Sequence, residues 1–446
     1  MDAVKAAQWE KDFAGKIIGN WCVGALIDNG KSAAVFEAFA DDGQKVALKI
    51  FDDELIERYG DRVQLARIER ELQLVGVHHP NMVAVIGGGF DRESCNHYLV
   101  MEYLSGENLK RVLDKVPPDK VPALVSQLAS AAHFLENRNL VHRDIKPENI
   151  VLLDDYSRLV LLDFGVIKVV GEAGLTDGDG IQQFVGTLQY SSPEFLLRNE
   201  SHDIAGWRAL TFYQIGGVMH DLIMRRRLFE ESTIPYARLV NAVQNDVPVI
   251  EGSETLHRLI HVARCCLLKK PELRLGCLDW DDFSLEKLFP AEGVSAKQKV
   301  LDRLSFKRAQ GLERKEQRAE TEADKKFFFG EAKDFISVGI RNIRADVLPP
   351  VSFLSNKKCS RCIVIKFAAS SDFGLENGLI FVVHILIRDA VERALTLSFE
   401  GFRDAILGGI DCTGFEDFYD GVFDAGGVMS ALENALFKCV DKFQDK

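Results

Sequence analysis

The most constraining feature of this chain is the run His142-Arg143-Asp144-Ile145-Lys146-Pro147-Glu148-Asn149, followed downstream by Asp163-Phe164-Gly165. Between them, Ile150 to Leu153 and Arg158 to Leu162 are strand-like and flank the turn-rich Asp154-Asp155-Tyr156-Ser157, which predicts a hairpin. Asn149 precedes that hairpin and Asp163 follows it, so closing it brings both to its open end. Two oxygen-bearing side chains held there can bind magnesium, a hard cation that prefers oxygen donors and often shares its coordination with substrate phosphates.

Upstream, Trp21 to Phe51 reads as strands broken by Asp28-Asn29-Gly30 and Asp41-Asp42-Gly43, an antiparallel meander. In Val46-Ala47-Leu48-Lys49-Ile50 the alternation puts Ala47 and Lys49 on one face and the branched residues on the other. A helical pattern with Leu65, Ile68, Leu72 and Val75 on one side ends near Gly76, before the turn-forming His79-Pro80-Asn81. Two further strand-like runs complete a small sheet-plus-helix lobe. Beyond Ser105-Gly106 the periodicity becomes mainly helical, as in Val121 to Asn137 and Leu210 to Met224, so a second, helical lobe begins there.

Together these motifs resemble the protein kinase family, specifically its serine/threonine branch. The resemblance covers about residues 20–288 and implies an α+β, bilobal fold, a small antiparallel-sheet lobe plus a helical lobe. Carried over position by position, Asp144 accepts or orients the substrate hydroxyl proton, Lys146 steadies the transferring phosphoryl group, and Asn149 and Asp163 hold magnesium. Lys49 reaches the ATP phosphates from a strand whose Ala47 roofs the adenine. Lys49 pairs with a glutamate of the first large helix, where Glu69 and Glu71 flank the apolar stripe at similar offsets; the family's spacing from His79-Pro80-Asn81 selects Glu71. Met101 takes the gatekeeper place, and the segment with Glu102 and Leu104 the adenine-binding hinge. Thr187 and Ser191-Ser192-Pro193-Glu194 resemble the end of an activation segment, with Glu194 paired to Arg274 in a structural ion pair.

Three positions depart from the family pattern. Aligned on Val35, the phosphate-covering loop reads Asp28-Asn29-Gly30-Lys31-Ser32-Ala33-Ala34-Val35, so Gly30 alone keeps its glycine and Asp28 adds negative charge where an anion binds. Thr211 stands where the family has an aspartate supporting the catalytic loop, offering a hydroxyl acceptor without the charge. Arg143 in this family commonly receives a phosphorylated loop residue, and either phospho-Thr176 or one of Asp177 and Asp179 would satisfy it.

With 446 residues the chain is longer than one core usually organises. We divide it into an N-terminal extension (1–19), the kinase-like domain (20–288), a charged helical linker (289–330) and a small α+β domain (331–446). That last domain shows strand-like segments at Cys362 to Ala368, Leu379 to Ile387 and Ala394 to Phe399, and a helix from Val428 to Phe443. It is read as partner-binding or regulatory, or else as a packing extension. Cys359 and Cys362 have C-x-x-C spacing but no second pair of ligands, so they read as unligated thiols. A net charge of -12 gives no footprint for nucleic acid. The N-terminus has no apolar run of signal-peptide length, no apolar stretch of the chain is long enough to span a membrane, and the nine scattered cysteines fit reduced thiols, so the chain is expected to be soluble and cytoplasmic. The implied function is ATP- and magnesium-dependent phosphorylation of serine or threonine hydroxyls in protein substrates, including the chain itself; the alternative is a nucleotide-binding pseudokinase acting as a scaffold.

Overall fold

The computed structural model describes residues 3–30, 33–52, 61–164, 168–169, 188–291, 293–343, 348–354, 361–403 and 414–444. The chain divides into two units, Met1–Glu313 and Arg314–Lys446. In the first, β1 (Ile17–Ile18), β2 (Trp21–Asn29), β3 (Ala33–Phe39), β4 (Lys45–Phe51), β5 (Val85–Asp91) and β6 (Asn96–Glu102) form one antiparallel sheet in the order β1-β2-β3-β4-β6-β5. Gly43, at φ +86°, permits the turn between β3 and β4. The register pairs Val35 with Lys49 and Ala47 with Met101, which gathers all four on one face.

The opposite face carries Ala34, Phe36, Val46, Leu48 and Ile50, all buried. What buries them is the N-terminal extension, which folds as helix α1 (Ala3–Phe13) and packs Trp9 and Phe13 onto that face. Full burial of a side chain such as Phe13 contributes roughly 1.5–3 kcal/mol. Polar ties fix the helix in place. Lys5 pairs at 2.7 Å with Asp52, buried just past the end of β4, and Glu10 accepts the backbone N–H of Leu26 in β2 at 3.2 Å. On the other side of the lobe, helix α2 (Asp61–Leu72) ends before Val75, which lies beyond it and is exposed rather than part of the apolar stripe.

Short strands β7 (Glu107–Asn108) and β8 (Leu140–Val141) lead into the helical lobe, where β9 (Ile150–Leu153) and β10 (Arg158–Leu161) form the anticipated hairpin with Ile150 opposite Leu161, and β11 (Lys168–Val169) pairs antiparallel with β8. Helices α3 (Val121–Glu136), α4 (Ile204–Met224), α5 (Tyr236–Asn245) and α6 (His257–Cys266) surround the principal core. Helix α4 is buried along most of its length, including the polar side chains of Thr211 and Gln214. A helix buried on all sides must be apolar on all sides, so each polar residue in it needs a stated partner.

The division between the two units falls inside helix α7 (Ala296–Ile343). Within the second unit, β12 (Val351–Leu354), β13 (Cys362–Phe367), β14 (Leu379–Asp389), β15 (Ala394–Arg403) and β16 (Glu416–Val422) form a five-stranded antiparallel meander. Phe328, Ala332, Ile336 and Ile340 of α7, together with Val428, Leu432 and Leu436 of helix α8 (Ala425–Phe443), bury its Ile363, Ile365, Phe381 and Val383 face. Strands β12 and β16 were not anticipated from sequence. Cys359 lies outside the described residues, and Cys362 is buried beside Val364, Ile380 and Val382. The chain is thus α+β, and among the described residues no helix is long and apolar enough to cross a membrane.

Candidate active site

Two clusters meet at the edge of the sheet lobe. In the first, Lys49 projects from β4 and donates to Glu71 at 2.9 Å and to Asp163 at 3.1 Å. Burial alone would depress the Lys49 ammonium, but the Asp163 and Glu71 carboxylates outweigh it and hold the group above the ordinary lysine range. It stays a cation at any physiological pH. Glu71 is buried on α2, whereas Glu69 on the same helix is exposed, so the structure separates two candidates that periodicity left level.

The second cluster is the 142–149 loop. Asp144 accepts from Lys146 Nζ at 2.6 Å and from Asn149 Nδ2 at 3.1 Å, and the same amide nitrogen donates to the Asp144 carbonyl at 2.8 Å. Using its nitrogen in this way leaves the Asn149 side-chain oxygen available to a cation. The His142 ring joins the loop to the strand that delivers Asp163. Its Nδ1 accepts from the Asp144 N–H at 3.3 Å, and its Nε2 bonds the Leu162 carbonyl at 3.0 Å. A carbonyl can only accept, so the proton sits on Nε2 and the ring is neutral; burial lowers its pKa and favours that form. Phe164 packs its ring edge-on against His142 at 5.4 Å.

The loop is held from below by a residue that the sequence did not single out. Gln214 of α4 donates to the Arg143 carbonyl at 2.7 Å and accepts from the Ile145 N–H at 3.2 Å. Arg143 sits at φ +67°, a left-handed conformation that costs a non-glycine residue about 1–2 kcal/mol, and these two bonds help offset it. Thr211, expected to support the loop, turns its hydroxyl back onto the Trp207 carbonyl at 2.8 Å. Its side chain is short, and the carbonyl one turn earlier is the nearer partner. The signal for Gln214 was its place as a lone amide in the apolar run of α4.

Val35 and Ala47 share the face of the sheet that carries Lys49, with Ala47 buried; Glu102, the last residue of β6, pairs with Val46 of the other face and accepts the Ala84 N–H at 2.8 Å, and Leu104 follows just beyond that strand. Gly30 donates to the Ala33 carbonyl at 2.9 Å across the loop that joins β2 and β3. The Asp28 carboxylate, unfavourable beside a bound anion, is paired with Arg111 at 3.2 Å. Both groups are largely exposed, and such a pair contributes at most about 1 kcal/mol. Glu194 and the fully buried Arg274 form an ion pair. Lys31, Ser32, Gly165, Thr176, Asp177, Asp179 and Thr187 lie outside the described residues.

Among the described residues no group of three or more His, Cys, Asp or Glu side chains is arranged to hold a metal ion. The pair Asn149 and Asp163, the latter with a half-exposed carboxylate, suits a cation that takes only one or two protein ligands and completes its shell with water and phosphate oxygens.

The sequence pattern of the protein kinase domain family matches residues 21–282. Similar curated proteins include CBL-interacting protein kinase 30 of Oryza sativa, 35% identical over 188 residues, covering 41% of this chain and 38% of that protein. CBL-interacting serine/threonine-protein kinase 21 of Arabidopsis thaliana is 30% identical over 248 residues, 54% of this chain and 56% of the relative. A probable serine/threonine-protein kinase of Streptomyces coelicolor is 27% identical over 286 residues, covering 62% and 41%. This chain therefore spans only about four to six tenths of the length of these relatives.

Proposed function

Starting from the fact that this chain belongs to the protein kinase domain family, we propose that it is an active, ATP- and magnesium-dependent protein serine/threonine kinase that also phosphorylates itself. The observation that carries the reading is Lys49 held between Glu71 at 2.9 Å and Asp163 at 3.1 Å. A cation and a metal-holding carboxylate are thereby presented together beside the Asp144, Lys146 and Asn149 cluster.

Each residue then has a task that follows from its chemistry. Lys49, kept charged, neutralises the α- and β-phosphates of ATP, and Glu71 fixes its direction. Ala47 and Val35 enclose the adenine, while backbone groups near Glu102 and Leu104 bond its edge. Asn149 and Asp163 hold magnesium, which when bound spreads and neutralises the charge of the phosphates. Asp144 aligns the serine or threonine hydroxyl and takes its proton as the oxygen bonds to the γ-phosphorus and the bond to the β,γ-bridging oxygen breaks. Lys146, 2.6 Å from Asp144, is positioned to steady the oxygens of the group in transit. The presence of Lys146 in that place, and the likeness to serine/threonine-protein kinases, support aliphatic hydroxyl rather than phenol acceptors.

The test is incorporation of labelled γ-phosphate into the full chain and into a generic basic protein, with acid hydrolysis to identify the acceptor residue. Asp144→Asn should reduce transfer by about 10²–10⁴-fold while leaving nucleotide binding in place. Equal incorporation by the two proteins, or nucleotide binding without any transfer, would favour the scaffold reading instead.

A further inference from the structure

We infer that Gln214 is the residue that positions the catalytic aspartate in this chain, a task carried by its side-chain amide rather than by the side chain at position 211. The inference rests on the kinase reading above. Gln214 is 2% exposed and reaches the two peptide units on either side of Asp144, donating to the Arg143 carbonyl at 2.7 Å and accepting from the Ile145 N–H at 3.2 Å. A primary amide carries a donor and an acceptor side by side, so it can engage a carbonyl and an N–H at once. A carboxylate cannot donate, and a hydroxyl at position 211 is already turned to Trp207.

The surroundings agree with this assignment. A small cavity of about 10 Å³, room for roughly one water molecule, lies where Leu140 and Val141 of β8 and His142 of the loop approach Trp207 and Thr211 of α4. The side chain at 211 therefore does not fill the space beneath the loop. Support comes instead from three residues farther along the helix, where Gln214 clasps the peptide units on either side of Asp144. Because Arg143 is held at φ +67°, a loop without that clasp can relax toward ordinary backbone angles and carry Asp144 with it. Displacement of a reacting group by about 1 Å is enough to lower a rate by about a hundredfold.

Three measurements decide the matter. Gln214→Met keeps the volume and removes both bonds; kcat should fall by about 10- to 100-fold with KM for ATP within about twofold of wild type. Gln214→Glu keeps the shape but exchanges the donor for a titratable oxygen. Burial drives its carboxyl toward the neutral form, in which it donates to Arg143 and accepts from Ile145 again. Its activity relative to wild type should thus climb as pH is lowered. Asp144 and Lys146 are common to both proteins and His142 is held neutral in both, so their contributions cancel in the ratio. Hydrogen exchange at the Ile145 amide should accelerate at least about tenfold in Gln214→Met, a readout that needs no catalysis.

Unchanged kcat in Gln214→Met, or a Glu-to-wild-type ratio that stays low and flat as pH is lowered, would overturn the inference, as would an Ile145 amide equally protected in both proteins. If Gln214→Met does not fold, the pH ratio of Gln214→Glu decides alone. If wild type transfers no phosphate, the kinase reading fails on its own, and the exchange measurement still decides whether Gln214 holds the loop.

Discussion

Lys269 offers a sharp quantitative test of the helical lobe. Its side chain is buried, 8% exposed, and its ammonium donates to the Val243 carbonyl at 2.7 Å at the end of α5, with the rings of Phe229 and Tyr213 at 5.0 and 5.8 Å. Burial brings its pKa from 10.5 down to about 7, despite the nearby carboxylates of Glu313 and Asp246. Between those two values the unfolded chain carries a proton that the folded chain has released, so stability rises with pH across that window. Below about pH 7 both states are protonated and the full burden of burying the charge is felt; above about pH 10.5 it is gone. A shift of this size corresponds to about 5 kcal/mol, at a slope approaching 1.4 kcal/mol per pH unit. Lys269→Met lacks the titration and shares every other ionisable group. The margin by which the variant exceeds wild type should therefore shrink by roughly 2–3 kcal/mol between pH 7.5 and 9.5. Urea unfolding followed by tryptophan fluorescence suits the measurement, because Trp9, Trp21, Trp207 and Trp280 are the four tryptophans of the chain and all lie in the first unit. Parallel pH curves for the two proteins would refute the reasoning.

Two further outcomes follow from the sheet lobe. Glu71→Gln removes a charge-assisted bond worth about 1.5–3 kcal/mol, so steady-state kinetics should show kcat/KM for ATP lowered by about 10- to 100-fold, with Glu69→Gln close to wild type. Phe13→Ala opens a cavity between α1 and the sheet, and chemical denaturation should register a loss of about 3–5 kcal/mol.

The parts of the site that were readable in advance are those fixed by neighbours in the chain. Asp144, Lys146, Asn149 and Asp163 are set by one loop and one hairpin, and the period of a strand sufficed to place Ala47 beside Lys49. Choosing between Glu69 and Glu71 needed the rotation of α2 against β4, which the apolar stripe alone does not specify. Gln214 escaped notice because its partners, Arg143 and Ile145, are about seventy residues away, and Thr211 drew attention as the family-equivalent position. Residues 1–19 read only as an extension, because the covering role of α1 over the branched face of β4 is set by tertiary packing. Strands β12 and β16 are short or rich in acidic residues at the sheet edges, where tertiary pairing outweighs a weak local preference. Val75 continued the helical period past the point where α2 stops.

The cover provided by α1 bears on how the protein should be handled. A fragment trimmed to the family match at residues 21–282 would leave Phe36, Val46 and Leu48 facing water, an adhesive patch that promotes self-association whatever the state of the nucleotide site. The same trimming would remove Asp302, which pairs with Arg258 at 3.0 Å, and Glu313, which accepts the Lys270 N–H at 3.0 Å. Ligand screening on this lobe therefore calls for a polypeptide running from residue 3 to residue 313, with any affinity handle attached through a spacer so that Lys5 keeps its hold on Asp52.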